Sequence, residues 1–374
     1  MSSAKREELR PKGNVPNLKF KEFKREWEKC RLGDSCNVFM CKRILASQTN
    51  MERGIPFYKI GTIGSTPDAY ISKELFEDYK EKYNYPRKGE VMITCAGTVG
   101  KCVVYDGKEA YYQDSNIVWI DNPSKYICND FLYHLLDKID WRKLNSTTII
   151  RIYNDDLRNL KLYYPQKEEQ HKISKLLSLL DERISTQNKI IDKLQSLIKG
   201  ITQKIVRSNK PNVRLTECME CKSSTLQESE VCEQGIYPVY GANGIVGYLD
   251  NYNTEGEAVY IIKDGSGVGI VSYVNGKCSA TGTLNTLQAK DGFSLRYLYF
   301  MLKVFSFEPY KTGMAIPHIY FKDYGKAKIY CPSYELQNKY ADLLSKIEQK
   351  AIAEQKILDH WCIQKQYLLR QMFI

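Results

Sequence analysis

The chain contains an internal repeat, and this feature limits its fold more than any other. Residues 149–165 read IIRIYNDDLRNLKLYYP, and residues 316–332 read IPHIYFKDYGKAKIYCP, 167 positions later. Two further pairs match upstream at nearly the same offset and in the same order, FLYHLL (131–136) with YLYFML (297–302) and KGEVMI (88–93) with EGEAVY (255–260). Ordered self-similarity over such a distance is typical of a duplicated structural unit. The sequence therefore predicts two copies of one fold.

Each copy ends in a long segment with helical periodicity, at 165–207 and 332–374. Apolar residues recur in both at the spacing of a broad helical stripe. In the first helix they are Ile173, Leu180, Leu194 and Ile201 at heptad position a, Leu177, Ile184, Ile191, Ile198 and Ile205 at e, and Leu176, Ile190 and Leu197 at d; in the second they are Tyr340, Ile347, Trp361 and Leu368 at a, and Leu344, Ala351, Leu358 and Met372 at e. A stripe this wide needs a partner, so we expect the two helices to pair antiparallel and to leave surface for another subunit.

The apolar stripe is interrupted at the same repeat position in both helices. Gln187 takes position a near the middle of the first helix, and Glu354 does so in the second. In an antiparallel pair these two residues lie close together, and a buried polar residue at this position commonly fixes register. The alternative is that both face solvent where the stripe drifts.

The segments before the helices have an α+β pattern. Short β-rich runs at 91–97, 101–107 and 115–121 have counterparts in the second copy, and helical runs follow near 129–141 and 295–305. Asn275-Gly276 and Asp106-Gly107 are typical of hairpin turns. We expect an N-terminal tail (1–16), a globular segment (17–164), a helix (165–207), a second globular segment (208–331) and a second helix (332–374). The predicted fold is α+β, with two repeated α/β domains separated by two long antiparallel helices and related by pseudo-twofold symmetry.

The composition favours a polyanionic partner. The chain has 374 residues, a net charge of +11 and 28 tyrosines. No run of about 18 apolar residues is present, which excludes a membrane helix of the usual kind. Residues 1–16 lack the apolar core of a signal peptide, and the twelve cysteines are expected to be reduced thiols in the cytoplasm.

The sequence lacks the motifs of the enzymes that act on nucleic acids or nucleotides. It has no Asp/Asn-Pro-Pro-aromatic motif of amino-methyltransferases, no G-x-G-x-x-G and no P-loop. The four histidines are scattered, and Cys218 and Cys221 form one C-x-x-C without a second pair, so we expect thiols rather than a zinc site. Asp68 and Asp78 only loosely resemble a nuclease motif. A stand-alone enzyme is disfavoured.

Several phrases together resemble one family, the specificity (S) subunits of type I restriction–modification systems. They include GIPFYKIG (54–61), AGTVGKCVV (96–104), YPVYGANGIVGYLDNY (237–252) and KDGSGVGIVSY (263–273). The most specific element is a Pro-x-x-x-E-Q entry into each long helix, in YPQKEEQHKISKLLSLLDERI (164–184) and CPSYELQNKYADLL (331–344). The second copy departs from it where Leu336 replaces the acid found at Glu169, which we expect to be immaterial.

The resemblance implies a DNA-binding protein without catalysis of its own. Each globular segment would be a target recognition domain that reads one half of a bipartite double-stranded DNA sequence. The helices would set the gap between the half-sites and dock two modification (methyltransferase) subunits, which restriction subunits would join. S-adenosylmethionine, ATP and Mg would then belong to the partner subunits, and this chain would hold no cofactor or metal.

Basic, polar and aromatic residues in the expected loops are the candidates for DNA contact, because Lys and Arg neutralise phosphates while polar side chains read base edges. They are Tyr58, Lys59, Arg87, Lys88, Thr98, Lys101 and Arg151 in the first copy, and Tyr240, Asn243, Lys263, Ser266, Thr283, Lys311 and His318 in the second. The candidates for the helix-pair and subunit interface are Leu177, Leu180, Ile184, Gln187, Ile191, Leu194, Leu344, Ile347, Glu354, Leu358 and Trp361. The glycines of GANGIVGY (241–248) and KDGSGVG (263–269) are expected to form loops that approach phosphate.

Two alternatives to this function have distinct consequences. A free-standing endonuclease would cleave DNA in a metal-dependent reaction and lose this activity on mutation of Asp68 or Asp78. A coiled-coil scaffold that does not bind DNA would keep its partners after nuclease treatment.

Overall fold

A computed structural model describes residues 13–143, 151–313 and 316–374, without the side chain of Arg142. Most of the expected N-terminal tail (1–12) lies outside the described residues. The chain divides into two compact units, Met1–Ser185 with Asp359–Ile374 (unit 1) and Thr186–Leu358 (unit 2). Each long helix contributes residues to both units.

Unit 1 contains nine short strands and four short helices before the first long helix. The strands are β1 (Glu28–Arg31), β2 (Asn37–Phe39), β3 (Ile55–Tyr58), β4 (Tyr70–Ile71), β5 (Val91–Thr94), β6 (Cys102–Val104), β7 (Tyr111–Tyr112), β8 (Ile117–Asp121) and β9 (Lys161–Tyr164) in the described part of the chain. The helices are α1 (Leu32–Ser35), α2 (Lys73–Lys82), α3 (Asn129–Asp137), α4 (Asn154–Arg158) and the long α5 (Lys167–Arg207), with 3-10 turns at Ala46–Gln48 and Trp141–Lys143.

Unit 2 repeats this order of elements, except that its described residues contain no helix equivalent to α2. Its strands are β10 (Val213–Arg214), β11 (Met219–Ser223), β12 (Tyr237–Gly241), β13 (Gly244–Leu249), β14 (Glu257–Ile262), β15 (Val271–Asn275), β16 (Ser279–Ala280), β17 (Leu284–Ala289) and β18 (Lys328–Ile329). Its helices are α6 (Leu215–Cys218), α7 (Leu295–Val304), α8 (Phe321–Tyr324) and the long α9 (Tyr334–Gln371), with 3-10 turns at Glu228–Glu230 and Glu308–Tyr310.

The sheet topology is the same in the two units. The four-stranded sheet has the order β2-β8-β5-β6 in unit 1 and β11-β17-β14-β15 in unit 2, and the three-stranded sheet has the orders β4-β3-β7 and β13-β12-β16. A two-stranded ribbon joins the ends of each globular segment, β1 with β9 and β10 with β18. The pairs β3–β7 and β12–β16 are parallel, and the other pairs are antiparallel. The repeat seen in the sequence is therefore a repeat of fold.

The central strand of each four-stranded sheet is buried on both faces. In β5, Val91 and Ile93 pack in the cluster that includes α3, whereas Met92 packs with the three-stranded sheet. In β14, Val259 and Ile261 likewise face one cluster while Tyr260 faces the other. Side chains alternate along a strand, so a strand between two cores needs an apolar residue at every position. This explains the uninterrupted apolar runs in the sequence.

The Asn275-Gly276 and Asp106-Gly107 turns do not close hairpins, which corrects the prediction. β15 ends at Asn275 and pairs with β14, while the next strand, β16, pairs with β12. After Gly107 the chain likewise enters β7, which pairs with β3 rather than β6. Both glycines have positive φ, 108° at Gly276 and 90° at Gly107. The glycine in each case lets the chain leave one sheet for the other.

A buried glutamine anchors the start of each long helix to its globular segment. Gln170 donates from Nε2 to the Pro165 carbonyl (2.7 Å) and accepts from the backbone N–H of Cys128, the residue before α3, at 2.7 Å. Gln337 repeats the arrangement with Pro332 at 2.9 Å and the Ser294 N–H, before α7, at 2.9 Å. The glutamine of the Pro-x-x-x-E-Q motif thus connects the long helix to the globular segment, and its amide satisfies the hydrogen-bonding capacity of buried backbone groups.

Glu169 has contacts at the start of α5 that Leu336, at the same position of the second copy, cannot make. Glu169 is buried and accepts a hydrogen bond from Trp27 Nε1 at 3.3 Å, and its other carboxylate oxygen lies 3.5 Å from Lys19 Nζ. Burial raises the pKa of this carboxyl, an effect that the Lys19 charge opposes. Glu169 therefore connects the segment before β1 to the start of α5.

The two long helices contact each other side by side within each unit. In unit 1, Asp181 Oδ1 lies 2.7 Å from Lys365 Nζ, and the Arg183 guanidinium lies 5.4 Å from the Trp361 ring centroid. A later residue of α5 contacts an earlier residue of α9, so the contacting segments run antiparallel.

In unit 2, Gln187 Nε2 donates to the Glu354 carbonyl at 3.1 Å and to its carboxylate. Gln187 and Glu354 are 9% and 8% exposed. The contact expected from the repeat is present, and the solvent-facing alternative is excluded. Glu354 also accepts from Lys350, and the hydrogen bonds from Lys350 and then from Gln187 lower the pKa of its carboxyl.

Candidate nucleic-acid interface

In unit 1, two of the candidate residues, Lys59 and Arg151, meet around one polar cleft of about 620 Å³. We call it the unit 1 cleft. Its polar lining comes from the segment between β2 and β3, the end of β3, the turn between β7 and β8, and the segment before α4. It includes Arg43, Lys59, Gln113, Asp114, Ser115, Asn116 and Arg151. These residues are far apart in sequence, and sheet pairing brings them together.

Backbone hydrogen bonds hold the parts of the unit 1 cleft in place. The Gln113 N–H donates to the Tyr58 carbonyl at 2.9 Å, which extends the parallel pairing of β3 and β7. The Cys95 N–H, at the end of β5, donates to the Asn116 carbonyl at 2.7 Å, and the Cys95 carbonyl accepts from Ile152 at 2.9 Å. The cleft surface therefore rests on both sheets.

The cations at the unit 1 cleft are already paired. Arg43 Nε lies 2.9 Å from Asp114 Oδ2, and Lys59 Nζ lies 3.1 Å from Asp68 Oδ1. Arg151 donates from its guanidinium to the Ser115 carbonyl at 2.9 Å and lies over the Tyr153 ring. The exposed ion pairs are weak in water and can exchange partners with a phosphate.

Unit 2 presents an equivalent surface, built by equivalent bonds. The Thr281 N–H donates to the Tyr240 carbonyl at 2.9 Å, as Gln113 does to Tyr58 in unit 1. The Lys263 N–H donates to the Thr283 carbonyl at 3.0 Å, and the Lys263 carbonyl accepts from Ile319 at 2.9 Å. We call this the unit 2 surface.

These matching bonds define pairs of equivalent positions. They are Tyr58 with Tyr240, Gln113 with Thr281, Cys95 with Lys263, Asn116 with Thr283, and Arg151 with His318. Arg151 and His318 are equivalent because each directly precedes the isoleucine whose N–H donates to Cys95 or Lys263. The backbones of the two surfaces are alike, whereas most side chains on them differ in size, charge and hydrogen-bonding capacity.

The remaining candidates near the unit 1 cleft lie in the loop after β5. Thr98 is exposed, and its carbonyl accepts from the Thr94 hydroxyl. Lys101 donates from Nζ to the Ile63 carbonyl and so ties this loop to the turn after β3. Arg87 and Lys88 precede β5 and lie at its opposite end, roughly 10 Å away for a four-residue strand. They are exposed but do not join the cleft.

The remaining candidates in unit 2 are spread around its surface. Asn243 is exposed in the turn between β12 and β13, and Ser266 is exposed in the loop between β14 and β15. His318 exchanges backbone hydrogen bonds with Thr312 at 2.8 and 2.9 Å, which places Lys311, itself paired with Glu308, beside this surface. The segment 241–248 was expected to be a loop, but it is largely a hairpin, with Gly244–Leu249 forming β13.

Tyr240 combines packing with a polar group on the unit 2 surface. Its ring lies edge-on to Tyr260, with centroids 5.7 Å apart, and burial raises the pKa of its phenol. In unit 1, Tyr58 stacks on Tyr112 with centroids 5.8 Å apart. Both rings are half-buried, and a phenolic hydroxyl can donate or accept a hydrogen bond.

Sequence reasoning missed Arg43, Gln113 and Asn116. They lie in short polar segments without periodicity. The sequence predicts a strand from residue 115, which would include Asn116, but β8 begins at Ile117. The repeat indicates Asn116 indirectly, because Asn116 lies 167 residues before Thr283, which is among the candidates for DNA contact.

The interface candidates on the helices fall into two groups by exposure. Leu177, Leu180, Ile191, Leu344 and Leu358 are buried, and the rest are buried polar or half-buried, namely Gln187, Glu354, Ile184, Leu194, Ile347 and Trp361. The apolar residues that face solvent lie elsewhere on the helices and include Ile190, Leu197, Ile352, Ile357, Ile363 and Tyr367.

The residues considered for other chemistry do not converge within the described ranges. The Cys218 thiol donates to the Leu215 carbonyl at 3.5 Å and neighbours Cys331, not Cys221. Asp68 pairs with Lys59, whereas Asp78 pairs with Lys82 on α2. Within residues 13–143, 151–313 and 316–374, no group of three or more His, Cys, Asp and Glu side chains is placed to hold a metal, and no helix is long and apolar enough to span a bilayer.

The fold and the paired surfaces define a class of protein with two equivalent units, each an α+β domain attached to a long helix. The family model described as the type I restriction modification DNA specificity domain matches this chain twice, over residues 24–196 and 208–360. The chain belongs to this family.

Similar proteins carry related names. A putative type I restriction enzyme specificity subunit from Haemophilus influenzae is 48% identical over 45% of this chain and 43% of its own length. A putative type I specificity subunit from Mycoplasma genitalium is 28% identical over 61% of this chain and 65% of its own length. The matches thus span less than two thirds of each of these relatives.

A solved structure has the same fold. The type I restriction–modification S subunit from M. genitalium superimposes with a TM-score of 0.68 at 19% identity, over 96% of this chain and 99% of that one. The fold of mixed α and β units with two long helices is therefore that of an S subunit.

Proposed function

We propose that the chain is the sequence-specific DNA-binding subunit of a type I restriction–modification complex, and that each unit reads one half of a bipartite target. One observation carries the proposal: two surfaces with equivalent backbone frameworks differ in the side chains they present. Equal frameworks dock on DNA in the same way, and different polar groups then select different bases.

The proposed domains follow the repeat. Residues 17–164 and 208–331 are the two target recognition domains, and residues 165–207 and 332–374 are the helices that set the gap between half-sites. The tail of residues 1–16 has no assigned part in recognition.

The DNA contacts are divided between phosphates and bases. We assign Lys59, Lys101, Lys263 and Lys311 to phosphates because the lysine ammonium is a flexible point charge. Tyr58, Thr98, Tyr240, Asn243, Ser266, Thr283 and His318 then supply hydrogen bonds at or near base edges. Arg151, which donates to the Ser115 carbonyl, supports the turn that faces the DNA. Arg87 and Lys88 lie at the far end of β5 and fit a phosphate outside the central contact.

The solvent-facing apolar residues of the helices support docking of partner subunits. Ile190 and Ile357 occupy the same repeat position and are 38% and 43% exposed. Equivalent exposed positions suit two copies of one partner, and in this proposal the partners are two modification subunits that carry S-adenosylmethionine and methylate adenine. Restriction subunits with ATP and Mg complete the nuclease.

This chain then contributes binding and no chemistry. The proposal predicts that the purified chain does not cleave duplex DNA with Mg²⁺. Metal-dependent cleavage that is lost in Asp68→Asn or Asp78→Asn would instead establish the endonuclease alternative. Partner capture that survives nuclease treatment, without any DNA binding, would establish the scaffold alternative.

Sequencing of methylated bases in cells with and without this gene tests the proposal. We expect a methylated motif of two short parts separated by a fixed gap, present with the gene and absent after its deletion. A methylation pattern unchanged by deletion would refute the proposed function. Cells that carry the gene with Gln170→Ala serve as a control for loss through misfolding rather than loss of DNA contact.

A further inference from the structure

The turn between β7 and β8 is more constrained than a connection between strands requires. Ser115 has φ of 60°, one of two positive values among the described non-glycine residues. A non-glycine residue held in this region is disfavoured, and such residues persist where neighbouring contacts impose the conformation. Here the Ile117 N–H donates to the Gln113 carbonyl at 3.1 Å and closes the turn.

Arg151 is one of the side chains that hold this turn, together with Arg43, which pairs with Asp114. Arg151 donates from its guanidinium to the Ser115 carbonyl at 2.9 Å, and its guanidinium carbon lies 5.9 Å from the centroid of the Tyr153 ring. A planar guanidinium can stack and donate sideways at once, which an ammonium cannot do. The group is therefore committed to the protein rather than directed to a phosphate.

Asn116 is the residue that the turn presents. Its carbonyl is held by the Cys95 N–H at 2.7 Å, so its backbone is fixed to the end of the buried strand β5. Its half-buried side chain lines the unit 1 cleft and has no hydrogen-bond partner among the residues that the structure describes. A fixed backbone with a free amide suits recognition, because little entropy is lost when a ligand binds.

The chemistry of the amide identifies the ligand. Asparagine carries a donor and an acceptor side by side, which match N6 and N7 of adenine in the major groove. Resting on the proposed function, we infer that Asn116 reads an adenine in the half-site of unit 1, and that Arg151 is a positioning residue that holds the turn for it.

Unit 2 has different chemistry at the same position. Thr283 replaces Asn116, and its hydroxyl is 2.8 Å from that of Thr281. A hydroxyl cannot form the bidentate pair with adenine, so the half-site of unit 2 has no adenine requirement from this position.

Selection of duplexes from a randomised bipartite library by the purified full chain tests the inference. The wild type is expected to select a motif with an adenine in one half. Asn116→Ala is expected to lower the preference for that adenine roughly 5- to 150-fold, while the other half of the motif is unchanged. Asn116→Thr, which installs the residue type of unit 2, is expected to do the same and guards against misfolding of the alanine variant.

Arg151 is tested by the salt dependence of binding. A lost phosphate contact lowers the slope of log affinity against log salt by about one. Arg151→Ala and Arg151→Lys are both expected to weaken the same adenine preference and to leave this slope unchanged, because lysine cannot stack and donate as arginine does. Asn84→Ala, at an exposed position outside the cleft, is the matched control and is expected to select the wild-type motif.

The outcomes separate the inference from the proposed function. A wild-type chain that selects no motif refutes the proposed function. A wild type that selects a motif, with Asn116→Ala and Asn116→Thr selecting it equally well, overturns the inference alone. A uniform loss of affinity over all sequences, or a slope reduced by about one in Arg151→Lys, would make these residues phosphate contacts and would also overturn it.

Discussion

At the scale of single residues, the two units use equivalent positions differently. His134 on α3 aligns with Phe300 on α7, and both side chains are buried. His134 Nε2 lies 3.4 Å from the Ser178 hydroxyl, while Nδ1 has no hydrogen-bond partner among the residues that the structure describes. Burial lowers the pKa of this imidazole, against the opposing influence of Asp181, and so favours its neutral form.

The lowered pKa of His134 predicts a loss of stability in acid. The unfolded histidine gains its proton near pH 6.5, whereas the folded one resists it, so the free energy of unfolding falls as the pH drops below about 6.5. His134→Phe, with the residue of unit 2, removes this term. We expect its urea midpoint to change less between pH 7.5 and 5.5 than that of the wild type. An equal change in both proteins would contradict the assignment.

A second prediction at this scale concerns the stability contributed by Gln170 and Gln337 at the starts of the long helices. Gln170→Ala leaves the Cys128 N–H and the Pro165 carbonyl without their partner, and Gln337→Ala does so for Ser294 and Pro332. Each unsatisfied buried group costs about 1–3 kcal/mol. We expect both variants to unfold at clearly lower urea concentration. Lys175→Ala, at an exposed position of α5, is the control and should be near neutral.

At the scale of elements, the long helices combine an apolar contact with one polar pair. The a and e positions supply the contact, whereas Ile190 and Leu197 at d are 38% and 48% exposed. The predicted stripe of a, d and e is therefore divided between helix packing and solvent. Gln187 and Glu354 together satisfy the one polar interruption.

A charge swap tests whether this polar pair specifies the pairing of α5 with α9. Gln187→Glu places two carboxylates together and should lower the urea midpoint. The double variant Gln187→Glu with Glu354→Gln restores one amide and one carboxylate and should recover much of the loss. Arg183, four residues before position 187, can then pair with the new carboxylate as Lys350 does with Glu354. Additive losses in the double variant would show that the two residues do not interact.

At the scale of the whole molecule, the duplication produces two separate sets of core residues. Leu136 on α3 belongs to a core of unit 1, and Leu302, its repeat counterpart on α7, belongs to a core of unit 2. Both are almost fully buried, at 0% and 1% exposure.

Matched truncations test the independence of these cores. Leu136→Ala and Leu302→Ala should each cost about 2–5 kcal/mol, because each removes buried methyl groups and leaves a cavity. Hydrogen exchange followed by mass spectrometry should show faster exchange in unit 1 for the first variant and in unit 2 for the second. Equal acceleration in both units by either variant would mean that the cores unfold as one.

More of the fold than of the candidate site could be predicted from the sequence. The repeat, the two long helices, the principal buried strands and the Gln187–Glu354 contact follow from periodicity and offset. The hairpin expected at Asn275-Gly276 was wrong because the turn signal is local, whereas the partner of the next strand is decided by the packing of two sheets. The functional roles of the candidate DNA-binding residues remain predictions.

A duplicated α+β protein with paired helices follows from the amino-acid sequence, because the repeat and the apolar periodicity are properties of the residue order. The residue order does not show that Lys59, Asn116 and Arg151 share one cleft while Arg87 and Lys88 lie apart from it; strand pairing in the folded protein brings the first three together. Their meeting depends on which strands pair and on single backbone hydrogen bonds between residues 21, 55 and 57 positions apart. These bonds use main-chain groups that every residue carries, so no residue type in the sequence marks them.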